Sequence, residues 1–217
     1  VLYGIGNVAV KLVGFILIPL YTDAEYFSTA DYGLMGLLEV TSQILIAVMG
    51  LSLYSGLIRW YWDAEYRDKQ KTIFFTTLLF TILTSLCIGS VLWLNIDELS
   101  ALLVQQEGYS LGGELPYILQ LLILTSMLGA VVEVPQNLLR LQRKPIYYSL
   151  TNIVRLFATL VLTIYFTISL HRGVSGVYEA QLVGIAIQLL MVLPLVIKNS
   201  SCRVDRKCTI PVSYTHL

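Results

Sequence analysis

Residues 116–139 read PYILQLLILTSMLGAVVEVPQNLL. The run holds a single charge, Glu133. At about 1.5 Å per residue, a helix of this length reaches across a hydrocarbon core of about 30 Å. Five further windows have the same character: Leu2–Tyr21, Gly33–Leu57, Thr72–Leu94, Ile146–Leu170 and Val174–Ile197. Polar or turn-forming breaks separate them, such as Asp63–Lys71, Gln142–Pro145 and His171-Arg172-Gly173. The pattern predicts an all-α, polytopic membrane bundle of six transmembrane helices over residues 1–199. A membrane β-barrel would show alternating segments of about ten residues instead.

Composition agrees. Of 217 residues, 56% are hydrophobic and only 13% charged, against about 25% charged in soluble domains. Mean hydropathy is +0.74. These values argue against a soluble globule, a disordered tail and a nucleic-acid binder. Cys87, Cys202 and Cys208 have no metal spacing, and His171 and His216 fit no metal or triad pattern. No phosphate-binding loop, zinc-protease motif or nucleophile elbow occurs in the sequence. A non-enzymatic protein without metal or cofactor is expected.

The ends read differently. The first window is too long for the apolar part of a signal peptide, contains Lys11 and lacks a small-residue cleavage site. The chain opens without Met, as expected of a piece lacking a few N-terminal residues. Residues 200–210 read as a polar cytoplasmic segment. Residues 211–217, PVSYTHL, resemble translated read-through of a transposon-end library adapter and are set apart from the fold.

Basic residues near helix ends collect on the cytoplasmic side. With the N-terminus inside, the inner loops hold Arg59, Arg67, Lys69, Lys71, Arg140, Arg143 and Lys144. The segment after the last window adds Lys198, Arg203, Arg206 and Lys207, whereas the outer loops hold only Arg172. This predicts a multi-pass protein with a cytoplasmic N-terminus. Zero net charge is then a partition across the bilayer.

Charges at membrane depth cost about 2.5–3.5 kcal/mol each on insertion scales and usually face a cavity or a partner. The windows contain Lys11, Glu39, Glu133, Arg155 and Glu179. Helical steps of three and four align them with small or polar neighbours. The stripes are Gly4/Asn7/Lys11/Gly14, Gly36/Glu39/Gln43/Ala47/Gly50/Tyr54, Ser126/Gly129/Glu133/Gln136/Asn137/Arg140 and Tyr148/Asn152/Arg155/Thr159. Such stripes also pack helices together, and an Arg155–Glu133 or Lys11–Glu ion pair fits them equally. Glu39 and Glu179 lie near enough to the interface to be hydrated. The third window carries hydroxyls but no charge and reads as peripheral. Pro19, Pro135 and Pro194 are expected to kink or break their helices.

Four quoted stretches carry a resemblance: residues 4–22 (GIGNVAVKLVGFILIPLYT), Ala30-Asp-Tyr-Gly33, Gly56-Leu-Ile-Arg-Trp-Tyr61, and Pro135–Pro145 followed by Tyr148 and Asn152. In order and spacing they resemble bacterial polysaccharide-biosynthesis flippases of the O-antigen type. The resemblance implies the multidrug/oligosaccharidyl-lipid/polysaccharide exporter superfamily, with this chain as the N-terminal lobe of a two-lobe exporter in the bacterial cytoplasmic membrane. It implies flipping of a polyprenyl-diphosphate-linked oligosaccharide, with the lipid bilayer, glycosyltransferases and a polysaccharide polymerase as partners. Lys11, Arg155, Arg59 and Arg140 would then neutralise the diphosphate. Asn7, Gln136, Asn137 and Asn152 would meet sugar hydroxyls, and Glu133 and Glu39 would serve ion coupling or ion pairing. The alternatives are a multidrug cation antiporter and a peptidoglycan-precursor flippase of the same superfamily.

Overall fold

The computed structural model describes residues 15, 17–23, 26–51, 53–63, 69–104 and 114–199. Lys11, Asn7, most of the first predicted span and both C-terminal segments, 200–210 and 211–217, lie outside them. Helices follow one another as α1 (residues 17–21), α2 (Thr29–Gly50), α3 (Leu53–Trp60), α4 (Gln70–Leu94), α5 (Ile96–Val104), α6 (Leu115–Leu141), α7 (Pro145–Ile164) and α8 (Gly173–Asn199). No strand occurs among the described residues. Five segments are long and apolar enough to cross a membrane: α2, α4, α6, α8, and α7 with the turn that extends it. This is the architecture of a multi-pass membrane protein.

Local chemistry sets the helix ends. Ser28 caps α2 reciprocally: its Oγ accepts from Asp31 N at 3.1 Å, and its own N–H donates to Asp31 Oδ2 at 2.9 Å. Two of the free N–H groups at the helix start are thereby satisfied. Pro116 and Pro145 sit in the first turns of α6 and α7, where the missing N–H costs nothing. Between these two helices Arg143 takes a left-handed φ of 52° and its N–H returns to Arg140 O. The result is a tight antiparallel hairpin at the expected place.

The second predicted span is not one helix. Leu51 adopts φ 43°, ψ 28° and its N–H turns back to Val48 O, ending α2 at Gly50 before α3 begins at Leu53. A left-handed leucine cannot continue the helix. The opened end is tied laterally, because Thr84 Oγ1 donates to Met49 O at 2.8 Å. The fifth span also changes pitch, passing into a π-helical turn over Tyr165–Ser169. There Arg172 N–H donates to Phe166 O at 3.2 Å. Of the expected kinks or breaks, Pro135 and Pro194 produce no break; α6 and α8 run through them. Pro19 falls inside the helical residues 17–21.

Helix α6 is the hub, touching α2, α3, α4, α5, α7 and α8. Helix α4 is not peripheral. It packs extensively on α6, and Thr76, Thr77, Thr81 and Ser85 are fully buried. Thr81 and Ser85 satisfy their hydroxyls within the helix, on Thr77 O and Thr81 O, whereas the buried Thr76 and Thr77 hydroxyls have no hydrogen-bond partner among the described residues. The outward rows are apolar: Leu83, Leu86 and Val91 on α4, and Ile146, Leu150, Ile153, Phe157 and Val161 on α7.

Two apolar cores stabilise opposite ends. One joins Phe27, Leu34, Leu38, Ile118, Leu122, Val177 and Tyr178. The other joins Leu57, Tyr61, Phe74, Leu138, Leu139 and Val192, beside the basic residues of the α6–α7 turn. Between them lies a layer of polar contacts, including Ser42 Oγ to Ser126 Oγ at 3.1 Å across α2 and α6.

Candidate functional site

The polar layer opens along α2, α6, α7 and α8. On α7, the Arg155 guanidinium donates from Nη1 to Gln188 Oε1 on α8 at 3.2 Å. Gln188, itself fully buried, passes the contact on, donating from Nε2 to Asn152 Oδ1 at 3.1 Å. Asn152 Nδ2 donates in turn to Tyr148 O at 2.8 Å. Arg155 is therefore held by a neutral amide relay. Close approach of α7 and α8 makes this possible. A Cβ on Gly184 would overlap Thr159 Oγ1 and lie 3.4 Å from Arg155 O, so glycine is required where the two backbones meet.

The ion pair Arg155–Glu133 does not form among the described residues. Glu39 is exposed on α2 and accepts from Gln43 Nε2 at 3.3 Å. Glu179, expected in the outer third, joins the far end of the bundle. It accepts from Tyr117 Oη at 2.8 Å and forms an ion pair with Arg172.

Towards the basic end, Arg140 lies over the Tyr148 ring, with Cζ 4.6 Å from the centroid, and donates to the Tyr148 hydroxyl. Asn137 steadies it, with Arg140 Nη1 donating to Asn137 Oδ1 at 3.4 Å and Asn137 Nδ2 donating to Glu133 O at 2.9 Å. Arg59 stands apart on α3, its guanidinium 5.3 Å from the Trp60 ring centroid. Gln136 turns inward: it is 7% exposed and donates from Nε2 to Thr151 Oγ1 at 2.9 Å. Asn137 is 3% exposed. Of the amides expected to meet a cargo, Gln136, Asn137 and Asn152 thus bond protein groups, and Asn137 and, through Gln188, Asn152 position cations.

Gln43, Ile46, Ala47, Gly50, Tyr54 and Glu133 surround a cavity of about 230 Å³ beside the α2–α3 break. Its wall is the polar stripe of α2 carried past the interruption. The sequence stripes located these faces. The role of Gln188 as the acceptor for Arg155 was not legible, because no spacing rule links residues 33 positions apart.

No family model matches the sequence, and no curated protein matches it. Two solved structures do. One is the outward-facing conformation of a multidrug resistance MATE family transporter of the MOP superfamily, at 16% identity and TM-score 0.71, covering 97% of this chain and 48% of that one. The other is a MOP superfamily transporter from Pyrococcus furiosus, reported with a binding pocket of reverse polarity. It matches at 17% identity and TM-score 0.72 over 99% of this chain and 48% of that one. The chain spans about half the length of both. The fold is therefore all-α, and over nearly its whole length the chain matches about half of a MOP-superfamily transporter.

Proposed function

We propose that the protein is a membrane transporter working by alternating access, with this chain supplying the lobe whose polar layer faces the cargo. The cargo read from that layer is an anionic amphiphile, a polyprenyl-diphosphate-linked oligosaccharide turned from the inner to the outer leaflet of a bacterial cytoplasmic membrane. The carrying observation is Arg155, a guanidinium within a membrane-crossing helix whose hydrogen-bond acceptor among the described residues is an amide oxygen and not a carboxylate. A guanidinium presents five donors in a planar fork suited to phosphate oxygens. An amide contact leaves its charge uncompensated locally, as a site for an anion requires. Arg140 over Tyr148 adds a second cation nearer the basic end, and Arg59, apart on α3, is proposed as a third. Asn137 and Asn152 are assigned to positioning these cations. Lys11 and Asn7 complete the proposed set. Glycosyltransferases and a polymerase would act before and after this step.

A second reading has its own support. Glu133 and Glu39 are carboxylates on the polar stripes of α6 and α2, and one matched structure is a multidrug transporter, so export of a cationic drug is the competing assignment. Proteoliposomes separate the two. With a fluorescent polyprenyl-diphosphate glycan in the outer leaflet, the wild type should translocate it and Arg155→Ala should not, at equal protein incorporation. Uptake of ethidium that survives Arg155→Ala and disappears with Glu133→Gln, without glycan translocation, would establish the drug reading instead.

A further inference from the structure

We infer that Tyr147 is a strap across a proline gap in α8, and that the last turn of α8, beyond the gap, follows the α6–α7 turn and not the rest of its own helix. Pro194 lies inside α8. Proline has no N–H, so Leu190 O, four residues back, loses the donor that a helix would supply, and the ring crowds that carbonyl. A membrane helix tolerates such a gap where neighbouring groups make up for it. The neighbour here is α7. Tyr147 Oη donates to Met191 O, the next carbonyl in the same turn. Pro194 itself is exposed, whereas Val192 and Leu195 on either side of it are buried. The weakened turn is thus packed on one side and strapped by a hydroxyl on another.

A second catch lies beyond the proline. Gln142, in the α6–α7 turn, donates from Nε2 to Asn199 Oδ1 at 3.0 Å and to Tyr61 Oη at 3.3 Å. Lys144 Nζ donates to Gln142 Oε1 at 2.8 Å and steadies that amide. Asn199 Nδ2 donates to Leu195 O at 2.8 Å, which closes the last turn on itself. Residues 195–199 are therefore joined to the α6–α7 turn by side chains, and to the rest of α8 by a helix that lacks one rung. Before the gap, α8 is fastened elsewhere: to Arg155 and Asn152 through Gln188, and to Thr159 at Gly184. The first turn of α7 also holds a cation, since Arg140 donates to the hydroxyl of Tyr148, next in sequence to Tyr147. Two consecutive tyrosines thus reach to different helices, one to α6 and one to α8. A displacement of Arg140 has a side-chain path to the weakest turn of α8.

The strap stands whatever the cargo, since it concerns the lobe's own helices. The test is hydrogen–deuterium exchange read by mass spectrometry on the full chain in lipid nanodiscs. Tyr147→Phe keeps the ring and removes the hydroxyl. It should speed amide exchange over residues 191–199 about fivefold, the effect of losing one ordinary hydrogen bond, and leave residues 178–188 unchanged. Pro194→Ala returns an N–H to the gap, so the double variant should exchange like Pro194→Ala alone. Within α8, Gln142→Leu should speed residues 195–199 only. Monodispersity on gel filtration confirms that each variant is folded. Wild-type exchange in Tyr147→Phe overturns the strap. So does acceleration that spreads equally to residues 178–188, which would mean that Tyr147 only packs α7 on α8. A double variant as fast as Tyr147→Phe overturns the link to the proline. An unchanged last turn in Gln142→Leu overturns the coupling to the α6–α7 turn. Failure of glycan translocation with this exchange pattern intact would instead count against the cargo reading alone.

Discussion

Arg155 on α7 and Gln188 on α8 meet at 3.2 Å, guanidinium to amide oxygen, within a bundle whose charged residues would otherwise pair with one another. Replacing Gln188 by Leu removes the acceptor and frees Asn152 Oδ1 as well. A hydrogen bond to a charged group contributes about 1.5–3 kcal/mol. Gln188→Leu should lower the detergent melting temperature and reduce transport, while Gln188→Glu, by creating an ion pair, should keep the fold and abolish anion transport. Thermal unfolding and translocation measured on the same preparations check both.

The α7–α8 contact depends on a missing side chain. Gly184→Ala should destabilise by about 1–3 kcal/mol, because its Cβ would occupy the place of Thr159 Oγ1. Thr159→Ala in the same chain should restore most of the loss. Double-mutant analysis by thermal unfolding reads the coupling; additive effects would show that the two helices do not meet as described.

The left-handed Leu51 carries a conformational cost of about 1–2 kcal/mol. Leu51→Gly should raise stability by part of that amount. Leu51→Pro, whose ring fixes φ near −65°, should disrupt the junction and the Thr84–Met49 contact. Melting temperatures of opposite sign for the two variants are the expected outcome.

Ser42 and Ser126 offer a test of polar accounting inside the bundle. Ser42→Ala or Ser126→Ala alone leaves one buried hydroxyl without its partner, at a cost of about 1 kcal/mol. Removing both should cost less than the two single changes together. Equal stability of all three variants would mean that the hydroxyls have other partners.

The legible part of this fold is the part governed by periodicity. Steps of three and four placed Glu133, Asn137 and Arg140 on one face of α6, and Tyr148, Asn152 and Arg155 on one face of α7, and both faces turn to the polar layer. Hydropathy alone gave the membrane-crossing segments. The interruption at Leu51 was not legible, because leucine is an ordinary helix former and nothing in its residue type signals a left-handed φ. Helix α5 was missed for a related reason: nine residues between two long apolar runs carry no periodic signal strong enough to separate helix from loop. The burial of α4 was misread because the lack of a charge was taken to mean an outlying helix, although Thr81 and Ser85 satisfy themselves on their own helix and can pack inward.

The two apolar cores have a mechanical consequence. Phe27, Leu38 and Tyr178 pack at one end, Leu57, Phe74 and Val192 at the other, with hydrogen bonds between. Apolar packing resists gaps of less than an ångström, whereas a polar contact can be exchanged for water as it lengthens. Flexure of a bundle layered in this way would cost least at its waist, and the residues that would feel it most are those at the middle, Arg155 and Glu133 among them.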